Sequence, residues 1–349
     1  MLTERMIAFI DPAGNVCAQE EALPELKDGE VLIRVQASLI SPGTEMNLPR
    51  QRRAKPDPDA KNVYFGYANA GEIIAVKGDV KELAVGMRVA AMGGGAKHTN
   101  YACVPVNLVV PIPDSMSYEQ ATFACLGATA LQGFRRSVPQ LGEYGAVLGL
   151  GIVGNLCCQL GALSGARVIG WEGLPNRIEI AHACGIEQTL NFRNQDPVAV
   201  SKDFAAPWGL DFAVLAFGGM ATEPLRQVMK AMKISADGHA MGRIVLIGGC
   251  AVEIGGGASS GNLDFLASSR TGAGYHDAAW EYGRDYPAAF VQFTTQRNLL
   301  EIVRLITEKR LLVDPMITHR LPLSDVGQAA DLLLNQPDQA MGIILKMSH

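Results

Sequence analysis

The sequence predicts an α/β chain in which a doubly wound parallel sheet is inserted into a mostly β, barrel-like domain. Three observations carry this. Short apolar runs broken by turn residues fill roughly the first 118 positions, strand and helix patterns alternate from Ala146 to Ile247, and the chain closes as strand, helix, strand from Ile317. Because the alternation starts in mid-chain, the sheet falls between two parts of the other domain. The expected division is 1–120 with 275–349 against 121–274, and 349 residues are long for a single domain.

In chain order, the first domain offers strands at Met6–Ile10, Val31–Ala37, Ala70–Val76, Arg88–Met92 and Tyr101–Pro105, separated by turns such as Asp28-Gly29 and Gly93-Gly94-Gly95. The polar segment Pro49–Asp59, with Arg50, Arg52, Arg53 and Lys55, reads as a solvated surface loop or a flap over a cleft. From Ser117 the period changes: Ser117 and Gln120 have capping-box spacing, and an apolar helix pattern follows to Gln132. Strands are expected at Asp211–Ala216 and Gly242–Ile247, helices at Leu174–Cys184 and Thr222–Met232. After residue 275 come an aromatic-rich segment, an amphipathic helix over Asn298–Lys309, and the closing strand, helix and strand at Ile317–Leu321, Asp325–Leu334 and Met341–Lys346.

The most informative stretch is Gly149-Leu150-Gly151-Ile152-Val153-Gly154, set between the strand-like runs Gly145–Leu148 and Ala166–Glu172. Gly149 allows a tight turn, Gly151 lets the backbone approach a pyrophosphate, and Gly154 lets the helix sit close on the sheet. Phosphates are favoured at such a helix N-terminus by its free N–H groups and the positive end of its dipole. Glu172, about 20 residues on, stands where an acid accepts ribose hydroxyls and repels a 2′-phosphate. The expected cofactor is therefore NAD rather than NADP, although Arg177 softens that preference. Thr129, Ile152, Val153, Phe217 and Gly248 complete the expected cofactor contacts.

Composition narrows the rest. The net charge is −5, which does not suggest a nucleic-acid partner. The apolar run Val147–Leu160 is broken by three glycines and carries Asn155 and Gln159, so it does not read as a membrane span. Seven cysteines without C-x-x-C spacing suggest reduced thiols and a cytoplasmic enzyme.

With these features the chain resembles the medium-chain dehydrogenase/reductase superfamily over almost its full length. The resemblance rests on Glu30-Val31-Leu32-Ile33-Arg34-Val35, Gly86-Met87-Arg88-Val89, the glycine turn with Glu172, and Asp325–Leu334 followed by Gly342-Ile343-Ile344. It implies a GroES-like catalytic domain around a Rossmann domain, an active site in the cleft between them, and a homodimer or homotetramer acting on a small molecule. Ser41–Glu45 and Phe65–Gly71 look most like the branch with bacteriochlorophyllide and sugar or cyclitol dehydrogenase-like members.

Zinc-dependent relatives place a cysteine where this chain has Pro42 and a Gly-His-Glu sequence where it has Gly66-Tyr67-Ala68. Of the ligand positions only Cys125 matches, and Cys103 alone falls in the region of the four-cysteine lobe. One thiol cannot hold a zinc ion, so no zinc is expected.

Charge on the substrate oxygen must then be handled by side chains. Tyr67, at the former ligand position, is the first candidate acid/base, or else a cleft-wall aromatic. Thr44 aligns with the residue that relays the substrate proton, or is a cap. Glu45 orients Tyr67, binds substrate or forms a salt bridge. Asn69 and His98 could add hydrogen bonds, Cys125 reads as a core residue or a nucleophile, and His276 competes with Tyr67, with Tyr275 and Tyr282 as a substrate wall. The expected activity is zinc-independent, NAD(H)-dependent interconversion of a secondary alcohol and a ketone. A quinone or enoyl C=C reductase and a non-catalytic NAD(H)-binding sensor are the rivals.

Overall fold

The computed structural model describes residues 2–349, which form two compact units. The first contains residues up to 128 with 271–309 and 316–349; the second contains 129–270 and 310–315. The division thus falls later than position 120 and earlier than position 275. The short return of 310–315 has a local cause: the Gln159 side chain accepts from Leu312 N–H at 2.8 Å and donates to Leu312 C=O at 3.0 Å.

In the first unit, the strand Glu30–Leu39 pairs antiparallel with Ala68–Lys77, Tyr101–Pro105 and Gly342–Lys346, and Ala68–Lys77 pairs with Arg88–Met92. A smaller sheet joins Glu4–Ile10 to Val16–Ala22 and Val63–Tyr64. Ile10, Val16, Ile40, Met46, Phe65, Val326, Leu333 and Ile343 lie in one buried cluster, so the closing helix Val326–Asn335 packs with the N-terminal strands. The capping box forms as expected, Ser117 accepting from Gln120 N–H while the Gln120 side chain accepts from Ser117 N–H. The helix it opens is interrupted at Thr122, giving Tyr118–Ala121 and Phe123–Arg136.

The basic segment after Pro49 is a correction. Its first part lies in the helix Asn47–Ala54, while 55–59 is exposed loop. Its arginines are held by carbonyl oxygens, Arg52 by Ile10, Asp11 and Lys61, and Arg53 by Gly14, with Asp331 as an ion-pair partner. A charge run that reads as solvated is therefore a set of ties between remote turns.

The second unit is a six-stranded, all-parallel sheet. Its spatial order is Thr189–Asn191, Arg167–Glu172, Tyr144–Leu148, Phe212–Leu215, Met241–Ile247, Asn262–Ser268. This is the doubly wound order of a dinucleotide-binding sheet, with the first strand in the middle and the glycine turn at its C-terminal end. The edge strands 189–191 and 262–268 are not evident in the sequence, being short in one case and mostly polar at alternate positions in the other.

Candidate active site and nucleotide turn

Within the second unit, each glycine of the turn has its own physical reason. Gly149 adopts φ +88°, a left-handed conformation costly for other residues. A Cβ on Gly154 would stand 1.8 Å from the Gly149 carbonyl oxygen, so only glycine lets the helix Ile152–Leu163 begin there. A Cβ on Gly151 would meet no atom within 4 Å: this face is open, as a backbone that receives a pyrophosphate must be. Gly151 is the N-cap, and no side chain caps the helix. Ile152 is buried and Val153 half-buried on its first turn.

Glu172 has a second duty that the sequence does not reveal. Its carboxylate accepts N–H from Leu150 at 2.9 Å, Gly173 at 2.7 Å and Leu174 at 3.1 Å, and Arg177 lies 3.8 Å away. The acid is buried and clasps the glycine turn to the end of the next strand. Phe217 packs against Gly149, and Gly248 turns with φ +88° next to the Phe217 carbonyl. Thr129 is half-buried in the helix Phe123–Arg136, at the start of this unit. The turn therefore fits a dinucleotide: an open glycine face, an uncapped helix start and an acid at the strand end.

The other candidate residues gather inside the first unit. Backbone hydrogen bonds pull three remote segments together: Ala8 N–H donates to His98, Phe65 N–H to Ala8, and His98 N–H to Phe65, at 2.9–3.0 Å. Sheet register sets Ser38 opposite Asn69. The short helix Pro42–Glu45 then brings Ser41, Thr44 and Glu45 near the Tyr67 phenol, with Cys125 also close. Burial, reinforced by Glu45 and Cys125, pushes the Tyr67 phenol well above the usual tyrosine range despite the Ser41 and Thr44 hydroxyls. That direction favours the protonated phenol.

Glu45 has a histidine partner from the segment that follows the Gly93–Gly95 turn. Its Oε2 accepts from Ser41 N–H at 2.6 Å, and its Oε1 lies 3.1 Å from His98 Nε2. His98 is fully buried, with its Nδ1 in close contact with Ser38 Oγ and its ring edge-on to Phe65 at 4.9 Å. Cys125 is buried and its thiol is pushed up by burial, then by Glu45, which makes it a core group rather than a nucleophile.

Three expectations are redirected. Asn69 is fully buried and donates to Lys97 C=O at 2.9 Å, while its Oδ1 has no hydrogen-bond partner. His276 is exposed at φ +73°, its ring lies 3.9 Å from that of Tyr275, and its N–H is taken by Glu281; no such contact joins it to Tyr67. Tyr275 is the nearer residue, abutting Gly93, whose N–H donates to Tyr67 C=O. Tyr282 is tied to Glu30 by its hydroxyl at 2.7 Å.

One residue escaped the sequence reading. Lys97 is half-buried; burial pulls its amine below the usual lysine range while Glu45 works the other way. Its position before His98 was the available signal. Among the described residues no group of three His, Cys, Asp or Glu side chains is placed to hold a metal ion. Pro42 and Tyr67 offer no imidazole or thiolate where zinc-dependent relatives have ligands, so this donor set does not fit a catalytic zinc ion. Nor is any helix among them long and apolar enough to cross a membrane.

Comparison with known proteins agrees with this architecture. Residues 27–114 match the family model described as the alcohol dehydrogenase GroES-like domain. Across 97% of either chain, the protein is 28% identical to an alcohol dehydrogenase of Cupriavidus necator. Among solved structures it resembles an oxidoreductase/dehydrogenase of unknown specificity from Escherichia coli, with TM-score 0.80, 19% identity, and 99% of this chain and 100% of that one covered. An alcohol dehydrogenase from Thermus sp. is similar at TM-score 0.78 and 18% identity, covering 98% and 100%. The family model covers residues 27–114, and the likeness to these solved structures is one of fold.

Proposed function

We propose that the protein is a zinc-independent, NAD(H)-dependent oxidoreductase that interconverts a secondary alcohol and a ketone on a polar or ring-bearing metabolite. The observation that carries this reading is the Tyr67 phenol, supported by the Ser41 and Thr44 hydroxyls in a site without a metal-ligand set. When bound, the nicotinamide supplies or takes the hydride. The chain's own residues manage the oxygen. Ser41 and Thr44, beside the Tyr67 phenol, favour release of its proton, which is given to a ketone oxygen as negative charge develops there. Glu172 favours a free ribose over a phosphorylated one, since a buried carboxylate at that strand end repels a 2′-phosphate.

The segments Ser41–Glu45 and Phe65–Gly71 support a place in the branch with bacteriochlorophyllide and sugar or cyclitol dehydrogenase-like members. A homodimer or homotetramer in the cytoplasm accompanies this reading.

The test combines metal analysis of the purified protein with NADH oxidation and NADH fluorescence over a panel of sugars, cyclitols, ketones, quinones and enones. Turnover of a keto sugar or cyclitol by metal-free protein is expected. Near-stoichiometric zinc would overturn the metal-free site. Turnover of quinones or enones alone would identify a C=C reductase, and tight NADH binding without any turnover a sensor.

A further inference from the structure

Behind Tyr67 lies a buried polar chain that the proposed reaction does not use directly. Ser38, His98 and Glu45 come from the long strand, the segment after the Gly93–Gly95 turn, and the short helix, and none is more than 8% exposed. The positions of their protons follow from the contacts. Ser38 Oγ donates to Ala68 C=O at 2.8 Å. A hydroxyl has a single proton, so in its close contact with His98 Nδ1 the ring nitrogen is the donor. The opposite nitrogen, Nε2, stands 3.1 Å from Glu45 Oε1, at ion-pair distance but outside hydrogen-bond geometry, and neither of these buried atoms has a hydrogen-bond partner. Two bare lone pairs facing each other in a dry site would be strongly repulsive. A proton on either atom would relieve that repulsion.

We propose that Glu45 and His98 share this proton, and that His98 is the positioning residue through which the Ser41–Glu45 turn is held against Tyr67. This rests on the oxidoreductase reading given above. Glu45 Oε2 accepts from Ser41 N–H, and Ser41 and Thr44 lie beside the Tyr67 phenol. With the proton in place, Glu45 is not a bare anion beside that phenol. Without His98 it would be one, and the Tyr67 proton would be harder to give up. The fold makes room for the arrangement: a Cβ on Gly66, which has φ +108°, would meet His98 N at 2.3 Å. The other titratable groups facing the pair are Tyr67, Cys125 and Lys97, of which Lys97 alone is a cation.

The pair is tested first without any substrate, by ¹⁵N–¹H NMR of the imidazole in the full chain. A slowly exchanging Nδ1–H is expected for His98, with a second, far-downfield proton that disappears in Glu45→Gln while Nδ1–H persists. An unprotonated Nδ1, or a spectrum indifferent to Glu45→Gln, would overturn the shared proton. Kinetics then test the positioning. His98→Gln and Glu45→Gln are each expected to lower kcat about tenfold or more with KM and the Kd for NADH little changed, because the loss falls on proton transfer. In a Tyr67→Phe background the same changes should add almost nothing. Multiplicative losses, or losses confined to KM, would refute the positioning role. If the wild type turns over no carbonyl compound, the functional reading fails, while the NMR result still decides the proton.

Discussion

The nucleotide turn and the Tyr67 site are built in opposite ways. The turn is local: Gly149, Gly151, Gly154 and Glu172 lie within one strand, helix, strand unit, and their hydrogen bonds close inside it. The Tyr67 site draws Ser38, Glu45, Tyr67, His98 and Cys125 from five segments, joined by sheet register and by the Ala8, Phe65 and His98 backbone bonds. A local site needs its spacing preserved, whereas a distributed one needs the whole barrel. Damage to the turn should therefore be felt in binding and stability together, and damage at Tyr67 in chemistry alone.

The sharpest way to break this contrast is Tyr67→Phe. A fall in kcat/KM of about 10²- to 10⁴-fold is expected, with an unchanged melting temperature and an unchanged Kd for NADH by fluorescence titration. A matching loss of NADH affinity would mean that the two sites are not separable.

On the other side, Gly154→Ala should cost about 2–3 kcal/mol in denaturant unfolding, because its Cβ meets a backbone oxygen that cannot yield. Gly151→Ala is the control. Its Cβ meets nothing, so stability should stay within about 0.5 kcal/mol while NADH binding weakens. Equal stability losses would show that both glycines are merely structural.

Glu172→Ala should narrow the preference for NAD over NADP, measured as the ratio of the two kcat/KM values. It should also cost about 1–3 kcal/mol, since three buried N–H groups lose their acceptor. An unchanged ratio with the stability loss intact would leave Glu172 as a clasp only.

The smallest effect concerns the ties that hold the first unit's remote segments. Burial works to raise the Glu119 carboxyl, but hydrogen bonds from Lys346 and Arg320 outweigh it and hold the group below its ordinary range. Its folded value lies below its unfolded one, so the stabilisation is present above about pH 4.3 and is lost as pH falls through the folded value. Glu119→Gln should cost about 0.5 kcal/mol at pH 7, and the difference from wild type should vanish in strong acid.

Much of this was legible in the sequence where the signal is a short-range pattern. Gly93–Gly95, the Ser117 and Gln120 capping box and the alternation of strand and helix all report on neighbours a few residues apart. The arginines of Asn47–Ala54 were misleading because their acceptors, Ile10, Asp11 and Gly14, are backbone carbonyls some 40 residues away, and no side-chain pattern announces them. For the same reason the bond from Asn69 to the Lys97 carbonyl has no signal in the sequence.

By itself the sequence determined the doubly wound sheet, its place in mid-chain, the glycine turn with Glu172, and the substitution of Pro42 and Tyr67 at positions where relatives bind zinc. Those features are matters of residue identity and of spacing along one chain. Only the tertiary structure decided that Glu45 meets His98, that His276 stays outside, and that Glu172 clasps the turn it follows. Each of those depends on which surfaces the β-sheets bring face to face. A buried hydrogen bond is worth making only between groups already stripped of water, and that condition exists only once the chain has folded.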